Sequence, residues 1–334
     1  MHDPLIFTIT ERSQVGEARR QIAAMAASAG LGEVPREKVA LIINELGSNL
    51  VKHAGGGDLI ARVLGADAGI EVLALDRGPG MADVEACFGD GYSTAGSPGT
   101  GLGAVRRLAS LVDVYTARPG GTAIVARVTS TEAEGAHRCG FEIGAICAPL
   151  TGEEICGDAW AVAAGEGGTS TVLVADGLGH GAGAADAAQA ARHVFAARPD
   201  RLPGEQIASL HDGLRGTRGA AVAVARVDPR SRVLAFAGVG NIAGTIVSDG
   251  ATRQLTSLNG TAGHVVHRIT EFTYPWTPDA LLILHTDGLG RRWDLERYPG
   301  LTGHHPSLVA GVLFRDWNRG HDDVTVVATR AYRP

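Results

Sequence analysis

Lysine is almost missing from this chain. Only Lys38 and Lys52 occur, so arginine supplies nearly all of the 30 basic residues. Acidic residues number 36, which leaves a net charge of −6. A chain with that deficit lacks the basic excess that displaces counterions from phosphate backbones, so a general nucleic-acid binder is excluded. The four cysteines, Cys87, Cys139, Cys147 and Cys156, show no C-x-x-C spacing and read as reduced, mostly buried thiols. Apolar runs are strand-length and interrupted, too short to cross a bilayer. The opening MHDPLIFTIT has no basic segment followed by a long apolar core, so no signal peptide is expected. These absences point to a cytoplasmic protein with neither a membrane nor a nucleic acid as partner.

What is present fits two domains. The 334 residues are 45% hydrophobic and 20% charged, ordinary for globular chains. Val15, Ala18, Ile22, Met25 and Ala29 follow helical spacing, as do Val39, Ile42, Ile43, Leu46 and Leu50. Strands are expected at 5–9, 59–64, 70–75 and 122–128, with a Gly-rich loop from Gly78 to Gly103 and a helix from Ala104 to about Leu111. Thr129–His137 is small and polar and reads as a linker. Beyond it strand-like runs dominate, interrupted by helical candidates at 182–197, 204–214 and 307–316. The expected division is 1–128, a linker 129–138, and 139–334. The fold class is α+β.

In the second half, carboxylates punctuate the strands. Asp176 in VADGLGHG and Asp287 in HTDGLG follow apolar runs, while Asp158 in CGDAWAV and the pair Asp322-Asp323 in GHDDVTVVA precede them. Carboxylates gathered in one place repel, and burial raises their pKa. They become favourable together around hard divalent ions with oxygen ligands. A single Asp-Gly is most often just a turn, but four such positions in order are harder to dismiss.

The ordered set GD, DGLGHG, GVGN, TDGL and DDVT, over Cys139 to Arg330, resembles the metal-dependent (PPM) serine/threonine protein phosphatases of the bacterial SpoIIE type. The resemblance implies an α-β-β-α four-layer sandwich and two-metal hydrolysis of phosphoserine or phosphothreonine, with Mn²⁺ or Mg²⁺. It implies that Asp176 bridges both metals, that the Gly177 carbonyl and the Asp287 and Asp322 carboxylates are further ligands, that Asp158 works near the metals, and that Asp323 stands at a flanking ligand position. The Gly238–Asn241 turn reads as structural, and His180 as a helix-start residue rather than a catalytic one.

In the first half, Glu45 and Asn49 lie four apart on one helical face, and Lys52 follows by three. Asp76-Arg77-Gly78-Pro79-Gly80 puts an acid at a strand end before a glycine turn. A second glycine run, Gly91 to Gly103, leads into a helix, where backbone amides and a helix N-terminus can cradle phosphates. This ordered trio resembles the GHKL ATP-binding domains of gyrase, Hsp90 and histidine kinases. It most resembles the serine kinases of stress-response switches that phosphorylate STAS-domain proteins. That implies an α/β sandwich with helices on one face of a mixed sheet, and ATP bound with Mg²⁺. By the resemblance Asn49 is the Mg²⁺ ligand, Glu45 the general base, Lys52 a cofactor contact and Asp76 the adenine acceptor. Gly78 and Gly80 shape that pocket, Thr94, Gly99, Gly101, Leu102 and Gly103 belong to the phosphate loop, and Thr122 closes the adenine site.

The combined expectation is a partner-switching, stressosome-like regulator. It dephosphorylates STAS-domain proteins, and its ATP-binding half acts as a kinase on the same class of protein. The alternative makes that half a non-catalytic, ATP-dependent docking module, binding a sigma factor or an anti-sigma component.

Overall fold

The computed structural model describes residues 4–65, 69–89, 101–130 and 140–332. It divides into two compact units. One comprises Met1–Ala136 with Leu295–Arg315, the other His137–Asp294 with Asp316–Pro334.

The first unit begins with β1 (Leu5–Ile9), α1 (Arg12–Ser28) and α2 (Glu33–Asn49), then β2 (Gly57–Val63) and β3 (Gly69–Leu75). It continues with α3 (Val84–Phe88), α4 (Gly101–Leu108), β4 (Leu111–Ala117) and β5 (Gly121–Thr129). The start of α1 is closed by Gln14, whose side-chain oxygen accepts the amides of Thr10 (2.7 Å) and Glu11 (3.0 Å). Pro35 sits in the first turn of α2, where a missing amide is tolerated.

The sheet order is β1-β2-β3-β5-β4. Every pairing is antiparallel, where the sequence suggested a mixed sheet. The helix expected at 104–111 instead runs over 101–108, and Leu111 opens β4. The run Leu111–Thr116 is rich in β-branched and aromatic residues, which favour a pleated surface.

Strand β3 is buried along its whole length. Ile70, Val72 and Ala74 join the core formed with Val15, Ile22, Ile42, Leu46 and Leu102 of the helices. The alternate residues Glu71, Leu73 and Leu75 face the other side. That side meets the helix Pro306–Trp317, which is buried on all sides from Pro306 to Arg315. A Cβ on Gly311 would lie 2.9 Å from the methyls of both Leu73 and Leu75, so any larger residue would have to displace those two buried side chains. Glu71 accepts Ser307 Oγ at 2.8 Å and pairs with Arg62 (2.6 Å) and Arg127 (2.7 Å). Burial would raise its pKa, but the two guanidiniums overcome that and hold it well below the usual carboxylate range. Asp113 on β4 accepts His304 Nδ1 at 2.8 Å and the His305 amide at 2.6 Å. Helices thus cover both faces of this sheet, not one. The second cover comes from a segment about 170 residues further along the chain, which sequence reading assigns to the second half.

The second unit contains β6 (Phe141–Ala148), β7 (Asp158–Ala164), β8 (Ser170–Gly177), α5 (Ala182–Ala197), α6 (Pro203–Gly213), β9 (Ala220–Asp228) and β10 (Val233–Val239). Further on come β11 (Ala243–Ser248), β12 (Ala251–Gln254), β13 (Gly260–Thr261), β14 (Val265–Val266), β15 (Phe272–Pro275) and β16 (Leu281–His285). After α7 (Pro306–Trp317), β17 (Val324–Ala331) ends the series.

Two five-stranded antiparallel sheets, β15-β10-β9-β8-β7 and β12-β11-β16-β17-β6, enclose one core. It is filled by Phe141, Trp160, Val172, Phe236, Ile246, Trp276, Leu282 and Val327. Phe195 of α5 and Ile207 and Leu210 of α6 pack on the outer side of the first sheet, against Leu173, Val222 and Val224. Residues 306–315 of α7, the remaining helical layer of the expected sandwich, belong to the first compact unit. No helix among the described residues is long and apolar enough to cross a membrane.

The close approach at Gly311 gives a direct check. Gly311→Val should destabilise the full-length protein by about 1–3 kcal/mol through overpacking against Leu73 and Leu75, read from the urea midpoint. An unchanged midpoint would show that α7 does not bear on β3.

Candidate functional site

In the second unit the first pair of carboxylates follows from strand register. Asp158 opens β7, Asp176 lies near the end of β8, and the two residues are directly opposite each other. Like charges in that position are destabilising by themselves. Asp158 is buried, and Thr286 Oγ1 donates to its Oδ2 at 2.8 Å. Asp176 is half-buried, and the charges of Asp287, Asp322 and Asp323 all act on it. Burial first, and these neighbours second, push the Asp176 pKa up to about 7. Burial and Asp176 together drive that of Asp158 well above the carboxylate range. The structure therefore brings together all five acidic positions read from the sequence.

Other residues hold them in place. Asn241 Nδ2 donates to Asp287 Oδ2 at 2.7 Å, so the turn read as structural supplies a polar contact to the cluster. The Asp322 carboxylate accepts the Asp323 amide at 2.9 Å. Both Asp323 oxygens are taken by backbone amides, from Leu150 (2.8 Å) and Gly157 (2.9 Å), so this side chain clamps the 149–157 loop. Gly177 must be glycine, because a Cβ there would fall 2.1 Å from the Ala184 carbonyl oxygen. His180 Nδ1 lies 2.9 Å from Glu153 Oε1, on the turn before α5. Ile155 and Leu178, each about half exposed, lie on the loops that lead to Asp158 and away from Asp176. The roles of Thr286 and Asn241 escape sequence reading although both stand inside the TDGL and GVGN motifs, and Glu153 carries no sequence signal.

The donor set tests whether divalent ions fit. It consists of oxygens, carries several negative charges, and is steadied by neutral donors (Thr286, Asn241 and backbone amides). The carbonyl oxygen of Asn241 is also buried without a hydrogen-bond partner. Among the described residues no three His, Cys, Asp or Glu side chains already close into a coordination sphere. The mutual repulsion of these carboxylates is what a divalent cation would relieve. The set fits Mg²⁺ or Mn²⁺ and suits neither a soft metal nor a thiolate site.

In the first unit Glu45 and Asn49 are half-buried on α2, and Lys52 is exposed on the π-helical turn Leu50–Ala54 that follows. Such turns often mark functional positions in helices. Asp76 follows β3. Its Oδ1 accepts the amides of Gly78 (2.8 Å) and Thr122 (3.1 Å), and burial raises its pKa despite these bonds. Among the described residues nothing donates to Oδ2, which leaves an acceptor for a ligand amine. A Cβ on Gly78 would press on Ala54, and one on Gly80 would lie 2.2 Å from the Ala117 carbonyl. Thr122 is buried, with Thr116 Oγ1 at 3.3 Å from its hydroxyl. Leu102 and Gly103 are buried on α4, and Gly101 is its first residue. Thr94 and Gly99 lie outside the described residues. This arrangement fits an adenine nucleotide.

The two sites define a metal-dependent protein phosphatase domain preceded by a nucleotide-binding domain. The family model described as Stage II sporulation protein E (SpoIIE) matches residues 166–332, half of the chain, and the chain belongs to that family. The model described as histidine kinase-like ATPase domain matches residues 8–128. Serine/threonine-protein kinase RsbT of Bacillus subtilis (strain 168) is 31% identical over 128 residues, which is 38% of this chain and 96% of RsbT. A solved structure described as "The bacterial stressosome: a modular system that has been adapted to control secondary messenger signaling" is 30% identical, with a TM-score of 0.53, and covers 57% of this chain and 99% of its own. RsbX in complex with magnesium is 19% identical with a TM-score of 0.51, over 57% of this chain and 96% of its own, and shares the fold. The chain thus joins the phosphatase and kinase-like parts of partner-switching regulators.

The raised Asp176 pKa has a signed consequence. The ordinary value is 3.8 and the folded value is about 7, so the folded protein binds this proton more tightly than the unfolded chain. Metal-free protein should therefore gain stability as pH falls from about 7 toward 4. Asp176→Asn should stabilise the metal-free protein at pH 8 by on the order of 2 kcal/mol, and the added Mn²⁺ that raises the wild-type melting temperature should no longer do so. A wild-type melting temperature that falls between pH 7 and pH 5 without metal would contradict this account.

Proposed function

We propose that this protein removes phosphate from phosphoserine or phosphothreonine on STAS-domain regulators, and that its ATP-binding half phosphorylates the same class of protein. The observation that carries the first part is the set of carboxylates meeting at the strand ends around Asp176. In this reading Asp176, the Gly177 carbonyl, Asp287 and Asp322 hold two divalent ions, with Asp158 beside them and Asp323 fixing the adjoining loop. The ions, Mn²⁺ or Mg²⁺, supply a nucleophile at neutral pH and a Lewis acid for phosphoryl oxygens.

The chain's own residues do the rest. Thr286 and Asn241 keep the Asp158 and Asp287 carboxylates aimed. The exposed Ile155 and Leu178 offer apolar contact to a folded protein rather than to a small ester.

For the second part, Asn49 takes Mg²⁺ and Lys52 lies toward the phosphates. Asp76 Oδ2 accepts the adenine amine, while Gly78, Gly80 and Thr122 shape that pocket. Gly101, Leu102 and Gly103 open the phosphate-facing helix, with Thr94 and Gly99 assigned to the loop before it. Glu45, one turn before Asn49, is placed to take the proton of an acceptor hydroxyl. The sequence similarity to a serine/threonine kinase supports transfer over ATP binding alone. A sigma factor or anti-sigma component is a further candidate partner of this half.

The test uses the Asp176→Asn protein, so that phosphate once added stays. Incubated with Mg-ATP and STAS proteins encoded beside it, this variant should add one phosphate to a serine or threonine, seen by intact mass. The gain should disappear in Asp176→Asn/Glu45→Gln. Wild-type protein with Mn²⁺ should strip the phosphate, and Asp176→Asn should lose that activity by at least about a hundredfold, a loss typical for a group acting in the transition state. Nucleotide binding without any transfer would replace the kinase by the docking module.

A further inference from the structure

Arg315 and Asp76 belong to the same compact unit although 239 residues separate them in sequence. The 295–315 segment is fixed to β3 along its length. Ser307 Oγ donates to Glu71, and Gly311 packs on Leu73 and Leu75. At its end Arg315 is buried, and its Nη1 donates to the main-chain oxygen of Asp76 at 2.7 Å. A buried arginine is rare unless its charge is engaged.

Among the described residues, every polar atom of Asp76 except Oδ2 is engaged by the protein. Its amide donates to Thr122 O at 2.9 Å, its carbonyl accepts Arg315, and its Oδ1 accepts the Gly78 and Thr122 amides. A Cβ on Gly121 would fall 2.0 Å from the same carbonyl oxygen, so the main chain of Asp76 is closed in by β5 as well. Burial raises the Asp76 pKa, while the two amides and then the positive charge of Arg315 work against it. The protonation state of this carboxyl decides what Oδ2 can read. A carboxylate accepts, which suits the 6-amine of adenine, whereas a protonated carboxyl can donate, which suits the 6-oxo group of hypoxanthine or guanine.

We propose that Arg315 is a positioning residue that makes the Asp76 pocket select adenine over 6-oxo purines. The inference rests on the nucleotide-binding reading of that pocket. Arg315 acts through Asp76 in two ways. Its hydrogen bond pins the main chain that carries the carboxylate, and its charge favours the acceptor form that a 6-amine requires. The Ser307 and Gly311 contacts hold the helix against β3, so the guanidinium is presented at a fixed place beside the strand end.

The experiment measures binding of ADP and of inosine diphosphate to the full-length protein in Mg²⁺ by calorimetry, from about pH 5 to about pH 8. The wild type should prefer ADP by at least about a hundredfold at the upper end of that range. Arg315→Met should bind ADP about tenfold more weakly, the size of one lost hydrogen bond to a charged group. Its affinity for inosine diphosphate should change little, so the preference falls. Protonation of Asp76 removes the acceptor, so wild-type ADP affinity should drop as pH is lowered, and in Arg315→Met that drop should begin at higher pH. Arg315→Lys, which keeps the charge, should restore the preference. Where the melting curve shows that Arg315→Met does not fold, Arg315→Gln carries the same expectation. A neutral variant that folds and either keeps the wild-type preference and pH profile, or weakens both nucleotides equally with the pH profile unmoved, would overturn the role of Arg315 and leave the nucleotide site standing. Failure of the wild type to bind ADP would overturn the nucleotide reading as well.

Discussion

Much of the second unit is arranged around one unfavourable contact. Asp158 and Asp176 are cross-strand neighbours on β7 and β8, and no other acid of the cluster relieves them. A sheet that only had to fold would not place two acids there. Both strands continue inward as apolar rungs, Trp160 opposite Val174 and Val162 opposite Val172. The register is therefore fixed by the core, because a slip of one residue would turn every side chain to the other face. The core holds the two carboxylates together against their repulsion. The glycines that follow the acids, Gly177 and Gly288, are required by close backbone approach. The unit spends stability to keep a site for divalent charge.

The first unit is organised around a different constraint, a strand buried on both faces. One face of β3 meets α1, α2 and α4, the other the 295–315 segment. The polar residue on the second face, Glu71, is tolerated because Arg62, Arg127 and Ser307 satisfy it. Directly after this strand comes Asp76, so the pocket residue is set by packing on both sides of the sheet rather than by its glycine turn alone.

How far the sequence reveals this can be judged residue by residue. The carboxylates at strand ends and the Asp76 turn are legible, because an apolar run, an acid and a glycine form a local pattern. Most strands and the main helices are legible from periodicity for the same reason. The partners of those acids are not. Thr286, Asn241 and Glu153 lie up to 128 residues away from the side chains they serve, and although the first two stand inside the TDGL and GVGN motifs, nothing local says which side chain they meet. The antiparallel order of the first sheet is equally hidden, since strand character says nothing of pairing. Sequence gives α7 its helical character but not its place. Its all-round burial shows only as an apolar helix without a polar face, and its docking on β3 depends on one glycine about 240 residues from the leucines it meets.

If the ATP-binding half adds phosphate as proposed, joining it to a phosphate-removing site raises a problem that neither half has alone. If both act on the same serine or threonine at once, the net result is hydrolysis of ATP with no change in the substrate. A useful switch needs the two rates to answer to different states of the protein. Separate chains achieve this by binding different partners. A single chain needs an internal element that distinguishes nucleotide-bound from nucleotide-free protein and reports it to the carboxylates.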